Sequence, residues 1–142
     1  MLVDANLLLY ATDRASRAHA QARDWLTGKL RGDRRVGLPW QSLSAFLRVS
    51  THPRAYVHPL EPAEAWRVVQ GWLSADMAFV PQPTARHAAV LGDLVTRYEL
   101  RGNLIPDGQL AALAIEHGLA ICSADTDFAR FRELEWINPL TP

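Results

Sequence analysis

The chain has 142 residues, 49% of them hydrophobic, enough for a single domain over 1–142 that needs no disulfide staples. Its formal net charge is zero, which excludes the broad attraction to nucleic acid or anionic membrane that a basic protein exerts, so any polyanion site has to be local. No run approaches the roughly 20 apolar residues that span a bilayer, no basic-then-apolar leader opens the chain, and the one cysteine, Cys122, lies in the apolar stretch LAICS; a soluble cytoplasmic protein with a buried reduced thiol is expected.

The chain begins MLVDANLLLY, an apolar run of about strand length with Leu2–Val3 as the first short strand and Asp4 set into it. Desolvating an unpartnered carboxylate costs several kcal/mol, so Asp4 has to be compensated. SRAHAQARDWLTGKL predicts a helix capped by Ser16, with Ala18, Ala22, Trp25, Leu26 and Leu30 on one face. Val36–Leu38 reads as a second strand, followed by a helix through SLSAFL and a loop, THPRAYVHPLEP. EPAEAWRVVQGWL predicts a helix starting near Pro62 with Ala65, Val68, Val69, Trp72 and Leu73 inward.

Phe79–Val80 is the third strand, VPQPTA a loop, and TARHAAVLGDLVTRYEL a helix capped by Thr84 with Val90, Leu91, Leu94, Val95 and Tyr98 inward. In GNLIPDGQLAALAIEHG, Asp107 is read as opening a helix that ends at His117 and Gly118. Leu119–Cys122 is the fourth strand and runs into Ser123, Asp125 and Asp127 before the short FARFREL turn; Trp136–Ile137 is the fifth. Short strands alternating with helices predict a parallel, doubly wound α/β sheet covered on both faces. In such sheets ligands gather beyond the carboxyl ends of the strands, where Asp4, Asp107 and Asp125 or Asp127 all fall.

Singly, each acid has an ordinary reading as a cap or turn residue. Gathered at one edge, carboxylates about 5 Å apart repel by roughly 3 kcal/mol per pair at an effective dielectric near 20, and only a cation or shared protons offset that. Oxygen donors without imidazole or thiolate select Mg²⁺ or Mn²⁺. The histidines at 19, 52, 58, 87 and 117 form no ligand-spaced pair on one helix face, which argues against zinc. Two other Mg²⁺ chemistries place an Asp after the first strand. A dehalogenase-type phosphatase wants a second Asp where this chain has Asn6, which cannot shuttle a proton, and both it and a receiver domain want a lysine near the phosphate or late in the chain. Lys29 is the only lysine.

Four segments in this order and spacing, LVDANLLLYA, LPWQSLSAFLRVSTHPR, GNLIPDGQLAALAIEHG and SADTDFARF, with WINPL near the end, resemble the PIN domains, specifically the VapC-type ribonuclease toxins of toxin–antitoxin pairs. The resemblance implies a PIN-like three-layer α/β/α sandwich with a central, mostly parallel sheet of about five strands. It also implies endonucleolytic cleavage of RNA to 5′-phosphate and 3′-hydroxyl ends, a homodimer, and a cognate VapB-type antitoxin. Carried over by position, Asp4, Asp107 and Asp125 are the catalytic acids and hold Mg²⁺, with Mn²⁺ able to substitute. Asn6 and Ser123 support them, Asn103 stands behind the site, and Asp127 shares or takes over the role of Asp125.

One departure from the family pattern stands out. Many PIN nucleases carry a glutamate at about Ala45, and Ser42 or Ser44 nearby does not replace its charge; one tightly held Mg²⁺, with any second recruited by substrate, is expected. Arg48, Arg54 and Arg101 flank the motif segments and are assigned to the RNA backbone, which an arginine fork suits. Trp25, Trp40, Trp66 and Trp72 are numerous for this length; core packing is expected for most and partner anchoring for some. Two rival readings stand beside this one: a PIN fold that only binds RNA or protein, and a metal-dependent nuclease or phosphatase acting on another phosphate.

Overall fold

The computed structural model describes residues 1–141. Five two-residue strands, β1 (Leu2–Val3), β2 (Val36–Gly37), β3 (Ala78–Phe79), β4 (Ile121–Cys122) and β5 (Trp136–Ile137), pair in the order β3-β2-β1-β4-β5. Every pairing is parallel, with Leu2 opposite Gly37 on one side and Ile121 on the other. Six helices make the crossovers: α1 (Ala5–Thr12), α2 (His19–Leu30), α3 (Trp40–Ser50), α4 (Pro62–Leu73), α5 (His87–Arg97) and α6 (Leu104–His117). A 3₁₀ turn, Thr126–Arg130, links β4 to β5.

Successive strand residues point to opposite faces, and the two cores divide along that alternation. Val3 and Cys122 bury with α1 to α4 around Leu7, Leu43, Phe46 and Val69. Leu2 and Ile121 bury with α5, α6 and the 3₁₀ turn around Leu94, Leu110, Phe128 and Phe131. The result is the expected three-layer sandwich. Phe46 and Trp72 meet edge to face at 4.8 Å, a contact worth about 1 kcal/mol beyond its buried area. Trp25 and Trp72 pack against the first core, whereas Trp40 and Trp66 are exposed. Burial pushes the free Cys122 thiol up to about 11.

The first strand ends at Val3 as expected, and the apolar run after it is helical because Asp4 caps α1: Asp4 Oδ1 accepts the Ala5 N–H at 2.7 Å. Other helix starts differ from the expected ones. The following long helix starts at His19, and Ser16 instead accepts the Ala18 N–H one turn earlier. Asp107 lies inside the first turn of α6, which begins at Leu104; Pro106 fits there because a first-turn N–H has no intrahelical partner to lose. The C-terminus follows the reading, with Gly118 left-handed at φ 63°.

Gly108, next to Asp107, sets how closely α6 approaches the loop after α5. A Cβ there would stand 2.5 Å from Leu100 Cδ1 and 3.8 Å from Leu91 Cδ1. Gly108→Ala is therefore expected to lower stability by about 1 kcal/mol, the overpacking outweighing the better helix propensity of alanine. Urea unfolding checks this: the midpoint falls while the slope stays unchanged.

Candidate active site

The sheet order reverses between β1 and β4, and the residues that follow these two strands meet there. Asp4 follows β1; Ser123 and Asp125 follow β4. Ser123 is fully buried and joins them. Its Oγ donates to Asp4 Oδ2 at 2.6 Å and accepts the Asp125 N–H at 3.0 Å. Asn6 Nδ2 donates to both Asp4 Oδ2 (3.0 Å) and Ser123 Oγ (2.9 Å), while Asn6 Oδ1 accepts the Ala124 N–H at 3.2 Å. The first turn of α1 is thereby tied to the end of β4.

Asp125 caps the 3₁₀ turn, its Oδ1 accepting the Asp127 N–H at 2.8 Å. Asp127, with its side chain 47% exposed, accepts from Arg130 Nη2 at 3.0 Å. From the opposite side, the first turn of α6 delivers Asp107. Carboxylate oxygens of Asp107, Asp125 and Asp127 all lie within 4.8 Å of one another.

Asp4 stands beside this group and not inside it, because Ala5, Asn6 and Ser123 already engage both of its oxygens. The four acids nonetheless share one field. Burial raises the Asp107 carboxyl to about 6, with further upward pushes from the charges of Asp125, Asp4 and Asp127, while Arg130 pulls it down. Burial also raises Asp4, against hydrogen bonds from Ser123 and Ala5 that lower it, and Asp125 adds to the rise.

The donor set at this edge is carboxylate oxygen throughout; among the described residues no histidine or cysteine joins it. Oxygens around a Mg²⁺ ion at 2.0–2.1 Å stand about 2.9 Å apart when adjacent and about 4.2 Å when opposite, so this cluster would hold the ion after contracting or through intervening waters. The residues fit a hard divalent cation.

An open groove of about 410 Å³ leads to Asp4 and Asp107 between α3 and α6. Ala45 and Ser44 line it at the position where a further acid would enlarge the site, and Ser42, whose buried Oγ has no hydrogen-bond partner, lies beneath. Arg48 lines the same groove, and Arg54 borders a shallow depression that begins at Arg48. Arg101 lies outside the groove, in the turn preceding α6. Asn103 occupies the helix cap position of α6, exposed and with no side-chain capping bond.

Two residues of the site escaped the sequence reading. Arg130 is the cation nearest the acids, three positions after Asp127 in the 3₁₀ turn; the DxxR spacing was the available signal. Glu116, near the end of α6, has a fully buried carboxylate that anchors the loop between β3 and α5.

The fold and the acidic edge define a class, and the comparison with known families agrees: the chain belongs to the PIN-domain family, which it matches over residues 1–134. It is 42% identical over 138 residues to Ribonuclease VapC37 of Mycobacterium tuberculosis, covering 97% of this chain and 96% of that one. It is 39% identical over 140 residues to Ribonuclease VapC43 of the same species, covering 99% and 95%. In structure it resembles VapBC2 from Rickettsia felis bound to a promoter DNA fragment, with a TM-score of 0.68, 17% identity, and 96% of each chain covered.

Proposed function

We propose that this chain is a divalent-metal-dependent endoribonuclease of the toxin type. It hydrolyses RNA phosphodiester bonds and is neutralised by a cognate VapB-type antitoxin. The observation that carries the reading is the cluster of Asp107 from α6 with Asp125 and Asp127 from the end of β4 at the switch point, with Asp4 after β1 close enough to act on it: burial and the charges of these neighbours push Asp107 to about 6. The extensive identity to relatives named ribonucleases supports the activity, and the likeness to the VapBC2 structure supports the fold.

Asp107 and Asp125 would hold the cation, Mg²⁺ with Mn²⁺ substituting, and Asp4, which stands just outside their cluster, would close on it as the third ligand. Asp127, half neutralised by Arg130, supports them as the weaker ligand. When bound, the cation supplies Lewis-acid charge that activates water near neutral pH and offsets the negative charge growing on the phosphoryl oxygens. Ser123 and Asn6 fix the Asp4 carboxylate, so little reorganisation is needed as the cation and substrate arrive. Arg48, on the groove wall, meets the RNA backbone, with Arg54 next along the same side. With zero net charge, binding rests on shape and a few phosphate contacts, for which exposed single-stranded segments are the natural substrates; a cytoplasmic homodimer is what the family resemblance implies. No described helix is long and apolar enough to cross a membrane.

Purified protein incubated with structured RNA is expected to cut unpaired segments with Mg²⁺ or Mn²⁺ and to stop when EDTA removes the metal. Ala45 in the groove wall favours one rival, a PIN fold that binds without turnover. Tight RNA binding with no products in either metal would establish that rival. Cleavage of single-stranded DNA or a phosphate ester in preference to RNA would overturn the substrate assignment.

A further inference from the structure

Beside the acid groove lies a second cavity, of about 230 Å³, that the hydrolytic chemistry does not use. The two share a partition: Gln41 and Gln109 line both. Gln109 follows Asp107 by two residues on α6, and although the two leave the helix in different directions, both line the acid groove. Whatever occupies the cavity is therefore a close neighbour of whatever occupies the acids.

The walls suit a flat heteroaromatic ring. Trp40, the first residue of α3, is 45% exposed and lines the cavity together with Pro81, Pro83 and His87. Gln41 Nε2 donates to the Pro106 carbonyl at 2.7 Å, which fixes this amide and leaves its Oε1 as an acceptor; Gln109 offers a second amide. A volume of this size accepts a single base and excludes a packed helix, whose diameter is about 10 Å.

The rim is anchored far more firmly than a surface loop requires. Glu116, its carboxylate fully buried, accepts from the Thr84 N–H (2.9 Å), from Thr84 Oγ1 (2.5 Å) and from His87 Nδ1 (2.5 Å). Arg86 Nη2 donates to the Glu116 carbonyl at 2.9 Å, and His117 Nε2 meets the Gln82 carbonyl at 2.7 Å. Hydrogen bonds from Thr84 and His87 hold the Glu116 carboxyl below its ordinary range despite the opposing effect of burial. Burying a charge is costly, and here it fixes the loop that forms one wall of the cavity. Preorganisation of that kind favours a ligand that must be held in register.

We propose that the Trp40–His87 cavity is a nucleobase subsite that takes one unpaired base of the RNA next to the phosphodiester lying in the acid groove. Trp40 stacks the base, and Gln41 and Gln109 read its edge. This rests on the ribonuclease reading. It goes beyond it by assigning residues that select where an unpaired strand is cut.

The test pairs protein variants with abasic substrates. A single-stranded RNA oligonucleotide carrying one cleavage site is made as a series, each member lacking one base near the cut. Wild type in Mg²⁺ or Mn²⁺ is expected to lose at least about fivefold in kcat/KM at one position of the series, the lower end of what base–aromatic stacking supplies. Trp40→Ala should lose a similar factor on the intact RNA and show less than a twofold further loss at that abasic position. Trp40→Phe should recover most of it, and equal melting midpoints exclude a folding defect. Equal responses of wild type and Trp40→Ala across the series would overturn the subsite. So would unchanged RNA kinetics combined with weaker binding of a cognate VapB-type antitoxin, which would make the cavity a protein site. If wild type cuts no RNA at all, the ribonuclease reading fails separately. The same series, 5′-labelled and read by fluorescence anisotropy, then decides the subsite by whether binding shows the same single-position loss and the same dependence on Trp40.

Discussion

Replacing Asp107 by Asn is expected to lower RNA cleavage by about 10³-fold or more while making the metal-free protein more heat-stable. The two effects share one cause. Asp107 faces Asp125, Asp4 and Asp127 from the first turn of α6, partly out of water, and its carboxyl is pushed to about 6. Ionised and without a cation, it costs the fold energy. Asparagine keeps nearly the same shape without the charge, so the repulsion falls and the melting midpoint of the EDTA-treated protein should rise by about 3 °C. The charge that destabilises the empty site is the one that attracts the cation and, through it, offsets the charge of the reacting phosphate, so activity falls with it.

The pH dependence gives the sign independently. A carboxyl whose folded pKa lies above its unfolded value keeps a proton in the native state that the unfolded chain has already released. Stability therefore falls as pH rises between about 4 and 6, and stays at the lower level above that window. For metal-free wild type, thermal midpoints measured from pH 4 to pH 7.5 should decline across this interval. In Asp107→Asn the decline should be shallower, with Asp4, also raised, responsible for what remains. Stabilisation by added Mg²⁺ should run the opposite way in wild type, small near pH 5 and larger above pH 6, because cation and protons compete for the same oxygens. A variant that is less stable than wild type without metal, or one that keeps full activity, would show Asp107 to be an ordinary first-turn residue.

How much of this was legible depends on how far each residue's role is local. The helices α2, α4 and α5 show in the 3.6-residue spacing of residues such as Ala22 and Leu26, or Ala65 and Val69, because each buries one face. α1 was hidden, since Leu7, Leu8 and Ala11 are buried and Leu9 and Tyr10 also pack against the core, which leaves the segment apolar nearly all round and without a period. The start of α6 was masked by Pro106, which reads as a boundary although it lies within the first turn. Asp4, Asn6, Asp107, Ser123 and Asp125 could be found because they close strands or sit at helix starts, where the switch point of a parallel sheet gathers ligands. Thr84 was a reasonable cap by type, and its hydroxyl does accept the Arg86 N–H at 3.2 Å, yet it also donates to Glu116. The buried carboxylate of Glu116 depends on a loop 30 residues earlier in the chain, so no local pattern could reveal it.

Ser123→Ala carries the other large expectation, because one fully buried hydroxyl serves three neighbours in the link between β4 and α1. Its removal deprives Asp4 of its shortest donor, leaves the Asp125 N–H without its acceptor, and costs Asn6 Nδ2 one of its two acceptors. A buried group left unpaired costs about 1–3 kcal/mol, so a stability loss of about 2 kcal/mol is expected by urea unfolding. The functional loss should be larger than general loosening would produce. Groups that orient a ligand carboxylate typically account for 10- to 100-fold in metal affinity or activity, and a drop of that order is expected in both Mg²⁺ affinity and kcat/KM. A double-mutant cycle separates the two causes. If Ser123 acts by aiming Asp4, then once Asp4 is replaced by Asn, removing the hydroxyl should cost little further activity while still lowering stability. Additive activity losses would mean that Ser123 contributes by a route that does not pass through Asp4, and the hydrogen-bonded chain from β1 to Asp125 would then be a support of the fold alone.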